Sequence, residues 1–149
     1  SQNLVELTTT ERDWAALTGE RRESAGGWER ADTEAEACGR YAAEFKQSRD
    51  TARLDRAIGL GRSVAAATPA GHPRRGVRLD HFATALATRG EEFGDHAALA
   101  EAVTVEREAV ACTSAGDPLR VQFMGNLAVN LNALLHATGD LAHVMDAID

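Results

Sequence analysis

The chain has 149 residues, enough for one well-packed domain and too few for two. A net charge of −7 repels a phosphate backbone and argues against nucleic-acid binding. Abundant Ala, Leu, Glu and Arg, with few aromatic residues, favour helix over sheet. No apolar run approaches the ~20 residues that would span a membrane, and no signal peptide is evident. Cys38 and Cys112, two lone thiols on apolar helical positions, read as small core residues and point to a reducing cytoplasm.

In chain order, Thr10-Glu11-Arg12-Asp13 has the form of an N-cap followed by an acidic residue, predicting a helix over 10–23. A second is expected from about Trp28 to Ser48. Leu54, Ala57, Ile58, Gly61, Val64 and Ala65 then form one stripe at three- and four-residue spacing, predicting a helix over 50–68. Pro69 and Gly71 end it. Pro73 suits the first position of the next helix, whose neighbourhood Arg74-Arg75-Gly76-Val77-Arg78 reads as a solvated basic start. Gly94-Asp95 separates that helix from one beginning near Asp95. Asp117 caps a helix that starts at Pro118 and runs through Phe123, Leu127, Leu131 and Leu134 to Gly139, and Asp140 caps one more.

These elements repeat. Residues 50–58 realign with 95–103 after a shift of about 45 residues, and Asp95, Leu99, Ala102 and Val103 realign in turn with Asp140, Val144, Ala147 and Ile148. The loop Ala70-Gly71-His72-Pro73-x-Arg75 lands on Ala115-Gly116-Asp117-Pro118-x-Arg120, and Leu79, Phe82, Ala83 and Leu86 land on Met124, Leu127, Ala128 and Leu131. Roughly three positions in ten are identical across the overlap, against about one in ten expected. A fainter copy lies upstream, where Gly26-Gly27-Trp28 and Tyr41 stand in for Gly71-His72-Pro73 and Leu86. One domain follows, with a weak repeat over 1–49, clear repeats over 50–94 and 95–139, and a partial one over 140–149. Each helix pair carries an apolar stripe too broad to bury alone. About seven helices are therefore expected to stack as antiparallel pairs in an all-α, right-handed α-solenoid.

The large and large-small pattern Leu79, Phe82-Ala83, Leu86, repeated as Met124, Leu127-Ala128, Leu131, resembles the first helix of tetratricopeptide repeats. Ala57, Val64 and Pro69 resemble the second. Two departures stand out: the bulky residue midway along the second helix is Gly61 in one copy and Glu106 in the other. The period also exceeds the usual ~34 residues. With the phrases Thr68 to Pro73 and Thr138 to Leu141, the chain looks like the long-period arrays found beside caspase-like and signalling-ATPase domains in actinobacterial proteins.

The resemblance implies a protein-binding scaffold whose first helices line a concave groove. The groove positions are Asp80, His81, Thr84, Gln122, Asn126 and Asn130, which a peptide or a partner helix would contact. The family's basic clamp for a C-terminal carboxylate is not expected, because the matching positions hold Ala35, Gly39, His81, Gln122 and Asn126. No residue constellation supports catalysis, and no cofactor is implied. The five histidines lack the spacing of a helical metal site, leaving only His136, Asp140 and His143 as a remote alternative. A further alternative is self-assembly into homo-oligomers through Val144 and Ile148 at an unfinished C-terminal end.

Overall fold

The computed structural model describes residues 23–139, 141, 142 and 145, with side chains from residue 30 onward. The described residues are all-helical. Five helices follow one another: α1 (Glu23–Ser48), α2 (Thr51–Ala67), α3 (Arg75–Phe93), α4 (His96–Ala111) and α5 (Pro118–Thr138). Each packs against the next, while α1 also touches α3, and α3 touches α5. The helix expected over 10–23 lies outside the described residues except for Glu23, which already belongs to α1. The expected cap at Asp140 and the residues Val144 and Ile148 lie outside them as well.

Local chemistry sets most helix ends. Asp50 accepts a hydrogen bond from the Ala52 N–H at 3.1 Å, Asp95 from Ala98 at 3.0 Å and Asp117 from Leu119 at 2.9 Å. Each carboxylate satisfies an amide that the first turn leaves without a helical partner. Gly94 and Gly139 end α3 and α5 at φ 63°, a left-handed conformation that glycine adopts without a Cβ penalty. The start of α3 differs from expectation. Pro73 does not open it; residues 69–75 form turns closed by His72 N–H to Pro69 O and Arg75 N–H to His72 O, and the helix begins at Arg75.

Three buried clusters run through the stack. Cys38, Ala42 and Phe45 of α1 meet Leu54 and Ala57 of α2 and Ala85 of α3. Leu79, Phe82 and Leu86 of α3 meet Ala102, Val105 and Ala109 of α4 and Phe123 of α5. Leu99 and Val103 of α4 enclose Leu134 of α5. Each fully buried Leu or Phe stabilises the fold by about 1.5–3 kcal/mol. Exposed pairs such as Arg62–Glu101 and Arg49–Glu92 contribute about 0–1 kcal/mol, so the apolar clusters dominate the stacking. Close approach is built in at Gly61, where an added Cβ would stand 2.6 Å from the Phe82 ring.

The basic stretch at the start of α3 is not a solvated face. Arg78 is 2% exposed; its guanidinium donates to Asp32 of α1 at 2.9 Å and to the Thr68 hydroxyl, just past α2, at 3.0 Å. Arg74 joins the same Asp32 at 2.5 Å, and Arg75 donates to the Ala65 and Thr68 carbonyls and to Glu108. His72, buried alongside, is held neutral: burial, and then the Arg78 charge, pull its pKa down to about 4. Cys38 is buried as expected, its thiol pushed up to about 12 by burial. Cys112 is instead exposed, because it falls on the C-cap of α4 beyond the last packed turn.

Arg78→Met keeps the volume but leaves the Asp32 carboxylate and the Thr68 hydroxyl without their shared donor. Removing one partner of a buried pair costs about 3–5 kcal/mol, and the lower end is expected because Asp32 keeps its bond from Arg74 and some access to water. Urea denaturation followed by helicity reads this directly; a loss below about 1 kcal/mol would mean that the clasp is not structural.

Candidate functional site

Helices α1, α3 and α5 share one face, and on it lies a cavity of about 270 Å³. Lys46 lines it from α1, Thr84, Ala87, Thr88 and Glu91 from α3, Glu106 from α4, and Asn126, Val129 and Asn130 from α5. One-turn spacing along α3 and α5 puts these side chains on a common stripe. Thr84, Asn126 and Asn130 are thus brought together on this face.

Asp80 belongs to the same constellation, since Asn126 donates to its Oδ1 at 2.9 Å. The bond ties α3 to α5 across the repeat boundary. Asn130 also lines the cavity and is only 6% exposed. His81 is not part of the group. Its ring lies against Gly39 of α1, where an added Cβ would come within 2.7 Å of Nδ1. Gln122 is exposed on α5 and does not line the cavity.

Glu106 is the residue that the sequence reading left without a role. It is 1% exposed, hydrogen-bonded to Asp80, and its Oε1 has no hydrogen-bond partner. Burial, followed by the Asp80 charge and the hydrogen bond to Asp80, pushes its pKa up to about 9. It therefore stands as a neutral acid near neutral pH, donating its proton to Asp80. A buried acceptor left unmet costs about 1–3 kcal/mol, so the site is maintained against stability. The signal available in sequence is a charged residue at a position where the family that the chain resembles carries a bulky one.

A larger cavity, about 340 Å³, opens between α2, α3 and α4. Its charges already answer one another: Arg62 pairs with Glu101 at 2.7 Å, and Arg89 with Asp55 at 2.9 Å and Asp95 at 3.2 Å. Size alone therefore does not single it out, whereas the smaller cavity holds polar groups with bonding capacity to spare. No described helix is long and apolar enough to cross a membrane. Among the described residues no group of three or more His, Cys, Asp or Glu could hold a metal, and the set His136, Asp140 and His143 lies partly outside them.

The raised Glu106 pKa has a signed consequence. The folded chain holds this proton more tightly than the unfolded one, so stability is fully present below the ordinary 4.5 and is lost as pH rises towards 9. His72 acts oppositely, withdrawing stability as pH falls from 6.5 towards 4. Above pH 6.5 only the Glu106 effect remains of the two. Between about pH 7 and pH 9 the wild-type chain should lose up to about 1.4 kcal/mol per unit, and Glu106→Gln should flatten that slope. Equal slopes in the two proteins would place the Glu106 proton elsewhere. Comparison with protein-family models finds no match to this chain, and comparisons with curated proteins and with solved structures find none either.

Proposed function

We propose that this chain is a protein-interaction module, a right-handed α-solenoid of tetratricopeptide-like helix pairs that holds a peptide or partner helix in a concave groove. The observation that carries this reading is the polar cavity on the face shared by α1, α3 and α5, with Asp80, Thr84, Asn126 and Asn130 gathered around it. Amides and hydroxyls at one-turn spacing suit the alternating N–H and C=O groups of an extended backbone. Among the described lining residues Lys46 supplies the positive charge, and the reading does not rely on a clamp for a C-terminal carboxylate. The same reading takes the chain as a non-enzymatic module in a cytoplasmic setting.

Asn126→Arg tests the assignment better than a change at Asn130, whose burial would make an arginine there disrupt packing. The new guanidinium fills the cavity mouth and can pair with Asp80, so the fold should be retained. Capture of binding proteins by the immobilised chain should fall at least about tenfold, with helicity unchanged. Retention of the same proteins by both forms would remove the groove from the account.

Self-assembly is a second reading, favoured by α5. Val121 is 72% exposed and Met124 51%, with Leu119, Val129, Leu141 and Met145 also outside the core. Met124, Leu127 and Leu131 repeat the stripe that α3 buries as Leu79, Phe82 and Leu86, yet Met124 is exposed and the other two are only half-buried. Sedimentation at rising concentration should show association that Val121→Glu suppresses; a monomer throughout would exclude this reading.

A further inference from the structure

The cavity on the α1, α3 and α5 face has a surplus of hydrogen-bond acceptors. Thr84 and Thr88 spend their hydroxyl protons on carbonyls one turn back, at Asp80 (3.0 Å) and Thr84 (2.8 Å). What each still offers is an oxygen lone pair. Asn126 commits an amide hydrogen to Asp80 at 2.9 Å, leaving its own carbonyl oxygen to accept. Glu106 adds an Oε1 that is buried and unmet. Such an arrangement calls for a donor supplied from outside.

Charge narrows the donor. Glu91 and Glu106 line the cavity and Asp80 is hydrogen-bonded to Glu106, while Lys46 is the cation among the described lining residues. An anion would meet repulsion there. A neutral amide brings at most two donors and no charge to offset Asp80 and Glu91, whereas an ammonium brings three donors and a guanidinium five, each with a positive charge. We propose that this face receives a lysine or arginine side chain of a partner peptide, whose cation donates to Glu106 Oε1 and sits beside Asp80. The proposal rests on the peptide-binding reading above and names what that groove selects.

A proton balance follows. A cation beside Glu106 favours its ionised form, so binding releases the Glu106 proton to solvent, and affinity rises with pH until the carboxyl is ionised without help. The charged groups facing Glu106 are Asp80 and Glu91 of α3 and Lys46 of α1; α5 lines the cavity with Asn126, Val129 and Asn130.

The test is selection of random short peptides on the immobilised full chain, followed by affinities of the selected peptides and of versions with the selected lysine replaced by norleucine. Lysine or arginine should be enriched at one position, and norleucine there should weaken binding about tenfold or more. Glu106→Gln, which keeps the size and the hydrogen bond to Asp80, should weaken the lysine peptide similarly and remove the rise in affinity between about pH 6 and pH 8. Peptides that bind without a basic preference, or equally well to Glu106→Gln, would overturn the proposal and leave the groove reading intact. Selection of no peptide at all would overturn both. The lysine-to-norleucine comparison uses only the wild-type chain, so it decides the question even if the variant folds poorly.

Discussion

The Arg78 guanidinium fixes how the first three helices meet, and the candidate site inherits that geometry. It reaches Asp32 on α1 and Thr68 at the end of α2 while remaining almost completely buried in α3. A charge in that position is tolerated only with its partners in place. The clasp thus selects one register between α1 and α3 where apolar stripes alone would allow sliding. With that register set, Lys46 near the end of α1 falls beside Thr84, Thr88 and Glu91. Apolar burial supplies the energy of stacking; the buried ion pair supplies its uniqueness.

A related closure recurs one repeat later without the charge. Thr68 and Thr113 both donate their hydroxyls to the carbonyl four residues back, each at 2.7 Å. Arg75 and Arg120 then each donate to the carbonyl of the corresponding threonine. The position matching Arg78 holds Phe123, which is buried in the apolar cluster of α3 and α4. Two solutions to the same packing problem therefore stand side by side: a polar clasp at the first junction and an aromatic plug at the second. The polar one links α1 to α3 through a carboxylate, while the second junction instead carries the Asn126 to Asp80 bond between α3 and α5.

What could be read from sequence follows from the range of the forces involved. The caps Asp50, Asp95 and Asp117 and the terminators Gly94 and Gly139 act within one turn, so their residue types alone locate the helix ends. The stripe Leu79, Phe82, Ala83 and Leu86 is equally local in its spacing. Arg78 was not legible, because its partner lies on another helix and an arginine beside Arg74 and Arg75 has the appearance of solvated charge. Pro73 misled for a similar reason: the turns around His72, held by the Arg74 and Arg78 network, delay the helix to Arg75. Of the residues that the sequence assigns to a groove, Asp80, Thr84, Asn126 and Asn130 lie near one another because helical periodicity places them on one face. His81 diverges because the glycine opposite it, Gly39, opens a slot that its ring fills.

Gly61 and Glu106, the two departures from the family pattern that the sequence resembles, carry the most information, and they do so in opposite ways. At Gly61 the missing side chain makes room for Phe82, and packing is improved by the loss of bulk. At Glu106 bulk is kept but made polar, in a place where an apolar residue would pack against α3 and α5 without desolvating a carboxyl. Core packing has no need of that oxygen, since a leucine or methionine of similar size would avoid the cost altogether. Its neighbours on α3 have committed their hydroxyl protons to backbone carbonyls, so nothing beside it on that helix is arranged to donate to it. A residue that presents an unmet acceptor at a lined cavity is the feature that the proposed cation would answer. The same logic separates this cavity from the larger one between α2, α3 and α4, where each lining arginine is already paired with a neighbour's carboxylate.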